Sequence, residues 1–250
     1  MINCRGSLLL CLWVLAQSHV ISAIENKNTT AVLKAGAVSA EKVIYQEDFD
    51  GPSGENLNDK VPDTAPEGIR WESMKGEAVW MADGTINAQE INQNRNVFLP
   101  FIPETGKVYS FTLDIKVDGT EKEGFIGMGF ASDNALSDAY VSTEKMKVSP
   151  WMFFAGSSVR TYTGPGNAGN TGTVPPKDGW GGKISAEIKL DTVTDPWTVE
   201  WLVNGASVRS HKFYAGNPDI KFVTFGRFRR ASGGVDNFKL SVAEPAPAAN

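Results

Sequence analysis

Cysteine and histidine are scarce in this chain of 250 residues, which contains two of each. Cys4, Cys11 and His19 lie within the first 23 residues, so the remainder has no cysteine and one histidine, His211. Without cysteine, residues 24–250 can form no disulfide, zinc–thiolate site or cysteine nucleophile. With one histidine they can form no multi-histidine metal site. A serine–histidine–acid triad would have to use His211, which we interpret as an ordinary residue of a half-exposed strand.

Clustered positive charge is also lacking. The formal net charge is −5, and it becomes about −6 without the first 23 residues, whose one charged residue is Arg5. The densest basic cluster is RFRR, Arg227–Arg230, which we interpret as a solvated turn. A chain without a basic stripe is a poor match for phosphate backbones or anionic membranes, so we expect no nucleic-acid partner.

The first 23 residues have the three-part pattern of a secretory signal peptide. Arg5 gives a basic start, residues 7–16 an apolar centre, and residues 20–23 a small-residue exit. The apolar centre is too short to span a bilayer. We therefore predict that residues 1–23 are removed and that the protein is secreted, extracellular or periplasmic, with no membrane attachment after cleavage. An uncleaved anchor is the alternative.

The rest of the chain divides by composition into three parts. Residues 24–42 are small and polar without a sustained period, which indicates a flexible linker or N-terminal arm. From residue 43 to residue 242 the chain keeps a period of two, which predicts one β-rich domain. Residues 243–250 we expect to be a disordered tail.

The period of two is clearest in Lys107–Val117 and Lys183–Leu190. Their inward faces would carry Tyr109, Phe111, Leu113, Ile115 and Val117 in the first segment, and Ile184, Ala186, Ile188 and Leu190 in the second. Weaker strand signals lie at Val43–Phe49, Ala78–Ala82, Thr85–Ile91, Asn96–Phe101, Phe125–Phe130, Trp151–Ala155, Ser158–Tyr162, Ser207–Phe213, Ile220–Phe225 and Val235–Val242. A helical pattern is suggested only over Asp133–Met146. Many short strands separated by turn dipeptides predict an all-β fold, a two-sheet antiparallel jelly-roll sandwich.

Two tryptophans lie four residues apart in the strand WTVEWLV, just before the turn Asn204-Gly205. Strand parity puts Trp197 and Trp201 on one wholly apolar face, with Glu200 on the other. A tryptophan buries about 150–250 Å², worth about 4–6 kcal/mol at about 25 cal/mol per Å². We therefore predict that both rings are mainly core.

The order of several motifs resembles secreted domains of the concanavalin A-like lectin/glucanase superfamily, including laminin-G-like bacterial modules. The motifs are YQEDFDG, the loop GPSGENLNDKVP followed by Trp71, the Asp83-Gly84 turn, LPF at Leu99, W-x-V-x-W-x-V-N-G, IKFVTFG and GGVDNFKL. The resemblance spans roughly Val43 to Val242 and implies a jelly roll whose first and last strands are neighbours. Its motifs are structural more than catalytic.

The carboxylates depart from the glucanase pattern. Laminarinase-type members carry E-x-D-x-x-E on one strand, whereas Glu187 and Asp191 here have another spacing with Lys189 between them. Glu121 and Glu123 are an isolated same-face pair, and a retaining glycosidase needs two carboxyls about 5–5.5 Å apart. This departure from the family's pattern favours a non-catalytic protein, and a hydrolase with an atypical carboxylate pair remains an alternative.

A calcium site is suggested at one end of the sandwich. Asp48 and Asp50 share a face at the end of the first strand, and the resemblance makes Asp236 of the last strand their neighbour. Calcium accepts carboxylates and backbone carbonyls from such loops. The alternative is an ordinary Asp-Gly strand exit whose side chains bond to the local backbone.

A carbohydrate-binding surface is suggested by aromatic residues around a long Gly-rich loop, Gly164–Gly182. Long loops in compact domains tend to be functional or disordered. The candidates are Trp180 as a stacking platform, Trp151 and Tyr162 as further rings, and Arg160, Asn167 and Asp178 as partners for hydroxyls. The alternatives are a core position for Trp151, which its sequence context favours, and a Trp180 that folds down as a lid over the sandwich edge. We therefore expect an extracellular polysaccharide as the partner. The alternative is a structural or adhesive protein that binds other proteins.

Overall fold

The computed structural model describes residues 41–73, 80–86, 94–118, 124–134, 148–155, 158–164, 173–174 and 183–243. All of them belong to one compact unit, Gly36–Asn250. The predictions for the signal peptide, for most of the arm, for the tail and for Trp180, Asn167, Asp178, Glu121 and Glu123 fall outside the described residues. The described residues form strands, turns and loops, and none of them lies in a helix.

Thirteen strands are present in the described part of the chain. In order they are β1 (Lys42–Glu47), β2 (Glu72–Ser73), β3 (Arg95–Pro100), β4 (Val108–Asp118), β5 (Phe125–Ala131), β6 (Val148–Ala155), β7 (Ser158–Tyr162), β8 (Thr173–Val174), β9 (Ile184–Asp191), β10 (Thr198–Val203), β11 (Ala206–Lys212), β12 (Phe222–Phe228) and β13 (Ser232–Ala243). The short strands β2 and β8 were not predicted. Within the predicted strands Ala78–Ala82 and Thr85–Ile91, the described residues form an isolated bridge between Trp80 and Ile86.

The strands build two antiparallel sheets that pack as a jelly-roll sandwich. The six-stranded sheet has the order β1-β13-β4-β9-β10-β11, and the seven-stranded sheet has the order β2-β3-β12-β5-β6-β7-β8. The first and last strands are neighbours, with Lys42 opposite Val242. The predicted fold class is therefore confirmed.

The main core lies between the sheets and draws on both of them. The inward faces predicted for β4 and β9 are confirmed, since all nine side chains named for them are buried. Trp201 is also buried, and Trp197 is partly buried and packs against the core. The hairpin of β10 and β11 closes through Asn204 and Gly205, whose φ angles of 50° and 77° suit this Asn-Gly pair.

Candidate functional site

The outer face of the seven-stranded sheet, which points away from the main core, carries a second hydrophobic cluster. Strand registers place its members side by side on β3, β12, β5, β6 and β7. The cluster consists of Phe98, Phe125, Ala131, Trp151, Phe153, Tyr162 and Phe228, with Phe222 packed at its margin. We call this group the outer aromatic cluster. At the positions of the outer aromatic cluster, the seven-stranded sheet is therefore buried on both faces.

Glycines of β5 let the rings of β6 lie close to the sheet. Gly127 is opposite Phe153 in the register, and Gly129 is opposite Trp151. A Cβ atom at Gly127 would lie 2.7 Å from the Cβ of Phe153. A Cβ atom at Gly129 would lie 2.5 Å from a ring carbon of Trp151. The aromatic side chains therefore fill space that side chains on β5 would otherwise occupy.

Arg160 adds a positive charge to the outer aromatic cluster. Its guanidinium carbon lies 5.7 Å from the ring centroid of Phe125 and 6.0 Å from that of Phe153. The ring of Tyr162 stacks on Phe153 with centroids 5.1 Å apart. Arg160 is half-buried, so its guanidinium combines cation–π contact with access to solvent. Arg160 therefore places hydrogen-bond donors over rings that are themselves buried, since Phe125 is 4% exposed and Phe153 is 0% exposed.

The structure brings three of the predicted carbohydrate-binding residues onto this one face. Trp151 and Tyr162 are register partners, and Arg160 is opposite Phe153. Trp151 is 0% exposed and Tyr162 is 2% exposed, so both rings are packed within the protein. Their role in binding a glycan stays a prediction. Phe125 and Phe153, the ring partners of Arg160, were not among the predicted site residues.

The predicted calcium ligands line a cavity of about 390 Å³ at the end of β1. We call this cavity the acidic basin. Its charged lining residues are Asp48, Asp50, Asp83, Asp114, Asp236, Lys116 and Lys183. Sequence reasoning missed Asp83, Asp114 and Lys183, although β4 places Asp114 on its outward face. Within the described part of the chain, no three His, Cys, Asp or Glu side chains are grouped so that they could hold a metal ion.

Lys183 contacts two of the carboxylates in the acidic basin. Its Nζ lies 2.9 Å from Oδ2 of Asp236 and 3.0 Å from Oδ2 of Asp114. Hydrogen bonds to Asp236 and Asp114 raise the pKa of Lys183 above its ordinary value. The ammonium group therefore keeps its charge beside these two carboxylates.

The hydrolase alternative rests on carboxylates of the other sheet. Glu187 lies on β9, where it accepts a hydrogen bond of 2.7 Å from Ser110 Oγ and lies 3.8 Å from Lys189 Nζ. Asp191 accepts a hydrogen bond of 2.8 Å from the backbone amide of Val193. Both carboxylates therefore have local partners on the six-stranded sheet, away from the outer aromatic cluster.

The basic cluster at the end of β12 is not a solvated turn throughout. Arg229 and Arg230 are exposed, but Arg227 is 0% exposed and lies opposite Arg95 in the register of β3. Burial, with the nearby charge of Arg95, lowers the pKa of Arg227 to about 10. The interpretation of RFRR as a turn was wrong for Arg227, because the strand continues through it to Phe228.

A larger cavity of about 640 Å³ lies at the opposite end of β1, and it contains none of the predicted site residues. Its two tyrosines already have partners. The hydroxyl of Tyr45 donates to the carbonyl oxygen of Pro100, and that of Tyr109 accepts from the amide of Glu104 at 2.7 Å. Burial raises the pKa of both tyrosines. The two hydroxyls therefore join β1 to the end of β3 and β4 to the loop that precedes it.

Solved structures share this arrangement of strands. An endo-1,3-beta-glucanase from Streptomyces sioyaensis aligns with a TM-score of 0.54 at 12% identity, over 82% of this chain and 97% of that one. A mutant of the Emp46p carbohydrate recognition domain aligns with a TM-score of 0.51 at 8% identity, over 77% and 95%. The alignments agree with the antiparallel jelly-roll sandwich described above.

At these identities the likeness shows the jelly-roll fold alone. No family model and no curated protein matches the chain. In the part of the chain that the structure describes, no helix is long and apolar enough to cross a membrane. The function must therefore be argued from the residues themselves.

Proposed function

We propose that the protein is a secreted, non-catalytic carbohydrate-binding domain, a laminin-G-like variant of the jelly roll that recognises an extracellular polysaccharide. The observation that carries the proposal is the half-buried Arg160 above the rings of Phe125 and Phe153. Sugar sites are lined mainly by aromatic surface with a few placed polar groups. The five N–H donors of the Arg160 guanidinium suit sugar hydroxyls. Phe125 and Phe153 are 4% and 0% exposed, so they hold Arg160 in place, and we assign stacking on the apolar C–H face of the sugar to Trp180.

The residues have distinct roles in this proposal. Tyr162 and Trp151, being buried, support the cluster from within: Tyr162 stacks on Phe153, and the ring of Trp151 meets that of Phe228 edge to face at 5.6 Å. Arg160 bonds sugar hydroxyls directly. Trp180 stacks on the sugar, and Asn167 and Asp178 add hydrogen bonds.

The outward positions of β5 and β6 named below carry no carboxylate, which supports a binding role over hydrolysis on this face. The alternating positions of β5 and β6 that face outward hold Phe125, Gly127, Gly129, Trp151 and Phe153. A glycosidase needs a pair of carboxyls beside the scissile bond. None of these residues has a side chain that can donate or accept the proton that glycoside cleavage requires. The three rings among them are 0–4% exposed and pack within the protein.

Affinity electrophoresis in gels cast with a panel of polysaccharides tests the proposal. We expect retardation by at least one polysaccharide, reduced at least tenfold in apparent affinity by Arg160→Ala and by Trp180→Ala. Arg230→Ala is a matched control because it removes the same charge from an exposed turn. Tyr214→Ala is a control for exposed aromatic surface, since Tyr214 is 81% exposed.

The outcomes separate the alternatives. No retardation by any polysaccharide, together with self-association or binding to cell envelopes, would support an adhesive protein and overturn the proposal. Release of reducing ends that Glu187→Gln abolishes would show a hydrolase. Retardation that a chelator alone abolishes would favour a calcium-supported site at Asp48, Asp50 and Asp236.

A further inference from the structure

Two like charges face each other across neighbouring strands in the acidic basin. Asp114 of β4 and Asp236 of β13 are register partners in the six-stranded sheet. Like charges directly opposite each other on adjacent strands destabilise the pair. The Nδ2 group of Asn237 donates to Oδ2 of Asp114 at 2.8 Å, but an amide adds no charge. A cation in contact with both carboxylates would offset this repulsion.

The cation in contact with both carboxylates belongs to the chain itself. Lys183 immediately precedes β9, which is the neighbour of β4 on the side away from β13. From that position the lysine side chain reaches across β4, and its Nζ contacts Asp114 and Asp236 at 3.0 and 2.9 Å. One ammonium group thus bridges the two facing acids.

Two of the other three acids of the basin, Asp83 and Asp48, are engaged locally. Oδ1 of Asp83 accepts from the amide and the hydroxyl of Thr85 at 3.1 and 2.6 Å. Oδ1 of Asp48 accepts from the side-chain amide of Gln46 at 3.3 Å. These bonds hold the two carboxylates against their own loops, as in ordinary Asx turns and strand exits.

With the ammonium group of Lys183 in place, the oxygens of the basin do not fit calcium. Calcium takes about six to eight oxygen ligands at about 2.3–2.6 Å, drawn together around one point. Here Asp114 and Asp236 already converge on an ammonium group, and Asp83 bonds to Thr85. The described residues offer no third carboxylate grouped with the first two.

We infer that Lys183 is the resident cation of the acidic basin, in the place where a divalent metal ion would otherwise neutralise Asp114 and Asp236. The stability of the fold is then independent of calcium. The inference does not rest on carbohydrate binding, because it concerns only the basin and is measured by stability.

Thermal unfolding of the protein in calcium and in chelator tests the inference. For the wild type we expect the same Tm in millimolar calcium and in excess EDTA. Lys183→Met keeps most of the side-chain length but removes the charge, so it should lower the Tm in EDTA. Calcium should restore part of that loss, because a ligand that binds only the folded state raises its stability. Lys189→Met is the matched control, since Lys189 is similarly exposed and lies 3.8 Å from a single acid.

Two results would overturn the inference. One is a wild-type Tm that rises in calcium, with the rise abolished by Asp236→Asn, because calcium would then occupy the basin beside the lysine. The other is a Lys183→Met protein whose Tm equals that of the wild type and does not respond to calcium. If Lys183→Met does not fold, the comparison of the wild type with Asp236→Asn still decides the first point. Luminescence of terbium used as a calcium probe, absent in the wild type and gained in Lys183→Met, is a readout independent of stability.

Discussion

Trp71 and Glu47 are joined by a buried hydrogen bond, in which the indole Nε1 donates to Oε2 of the carboxylate at 3.2 Å. The other carboxylate oxygen accepts from the amide of Phe49 at 3.2 Å. Trp71 is fully buried and Glu47 is 7% exposed. The bond ties the end of β1 to the segment that leads into β2. It therefore fixes the backbone from which Asp48 and Asp50 enter the acidic basin.

Trp71→Phe should destabilise the protein by about 2–4 kcal/mol, because it leaves a cavity and removes a donor from a buried carboxylate. The indole also meets the rings of Phe225 and Phe238 edge to face, at 5.5 and 5.0 Å. Urea unfolding monitored by circular dichroism would measure the loss. Trp197→Phe, at a partly buried tryptophan, is the control and should cost less. Equal losses in the two variants would contradict the role assigned to the Trp71–Glu47 bond.

Glu47→Gln should change how stability depends on pH. Burial raises the pKa of Glu47 above 4.5, against the opposing effect of the hydrogen bond from Trp71. The folded state then binds the proton more tightly than the unfolded state, so this residue's contribution to stability falls as the pH rises from below 4.5 through the raised pKa. The variant lacks this contribution. We expect the free energy of unfolding of the variant to increase relative to that of the wild type as the pH rises. A difference that stays constant with pH would show that the Glu47 pKa is not raised.

The period of two in the sequence predicted strands β4 and β9 of the six-stranded sheet, which have one face in the core and the other exposed to solvent. In β4 and β9 the buried residues alternate with exposed or half-buried ones, so a period of two is visible in the sequence. In β5, whose residues are all buried, no such contrast exists and the sequence reads FIGMGFA. The outer aromatic cluster could not be predicted as a face because Phe125, Trp151 and Phe153, three of its rings, lie in apolar runs of β5 and β6 where no polar residue marks an outer side. Arg227 was wrongly predicted to lie in a solvated turn, because charged residues are usually exposed to solvent.

The acidic basin shows a different limit. Asp48 and Asp50 could be paired from local spacing, and the resemblance brought Asp236 near them. The contact of Lys183 with both Asp114 and Asp236 depends on the register of three strands distant in sequence. Spacing along the chain carries no information about that register. The sequence therefore predicted Asp236 as part of the site but did not predict Lys183 or Asp114.

Gly129→Ala should destabilise the protein by about 1–3 kcal/mol through overpacking. The added methyl group would meet the Trp151 ring at 2.5 Å and would also contact the carbonyl oxygen of Pro150. The ring cannot retreat toward the sheet, so it must move outward or the strands must separate. Gly164→Ala is the control, because a Cβ atom there would meet nothing within 4 Å. Chemical denaturation of both variants checks the prediction, and a neutral Gly129→Ala would show that Trp151 does not pack tightly on β5.

His211 should titrate below its ordinary pKa of 6.5, because partial burial and the nearby charge of Arg209 both disfavour the imidazolium. Its ring lies edge to face with Phe213 at 5.0 Å, which offers no charge to stabilise the protonated form. Proton NMR of the imidazole C–H resonance measures the midpoint, and His211→Gln assigns the signal. Arg209→Met should move the midpoint upward by removing the repulsion. Because the folded-state pKa is lowered, this residue's contribution to stability is present above pH 6.5 and is lost as the pH falls through the folded-state pKa. A midpoint at or above 6.5 would mean that the side chain is solvated and that β11 is more exposed at its end than the structure shows.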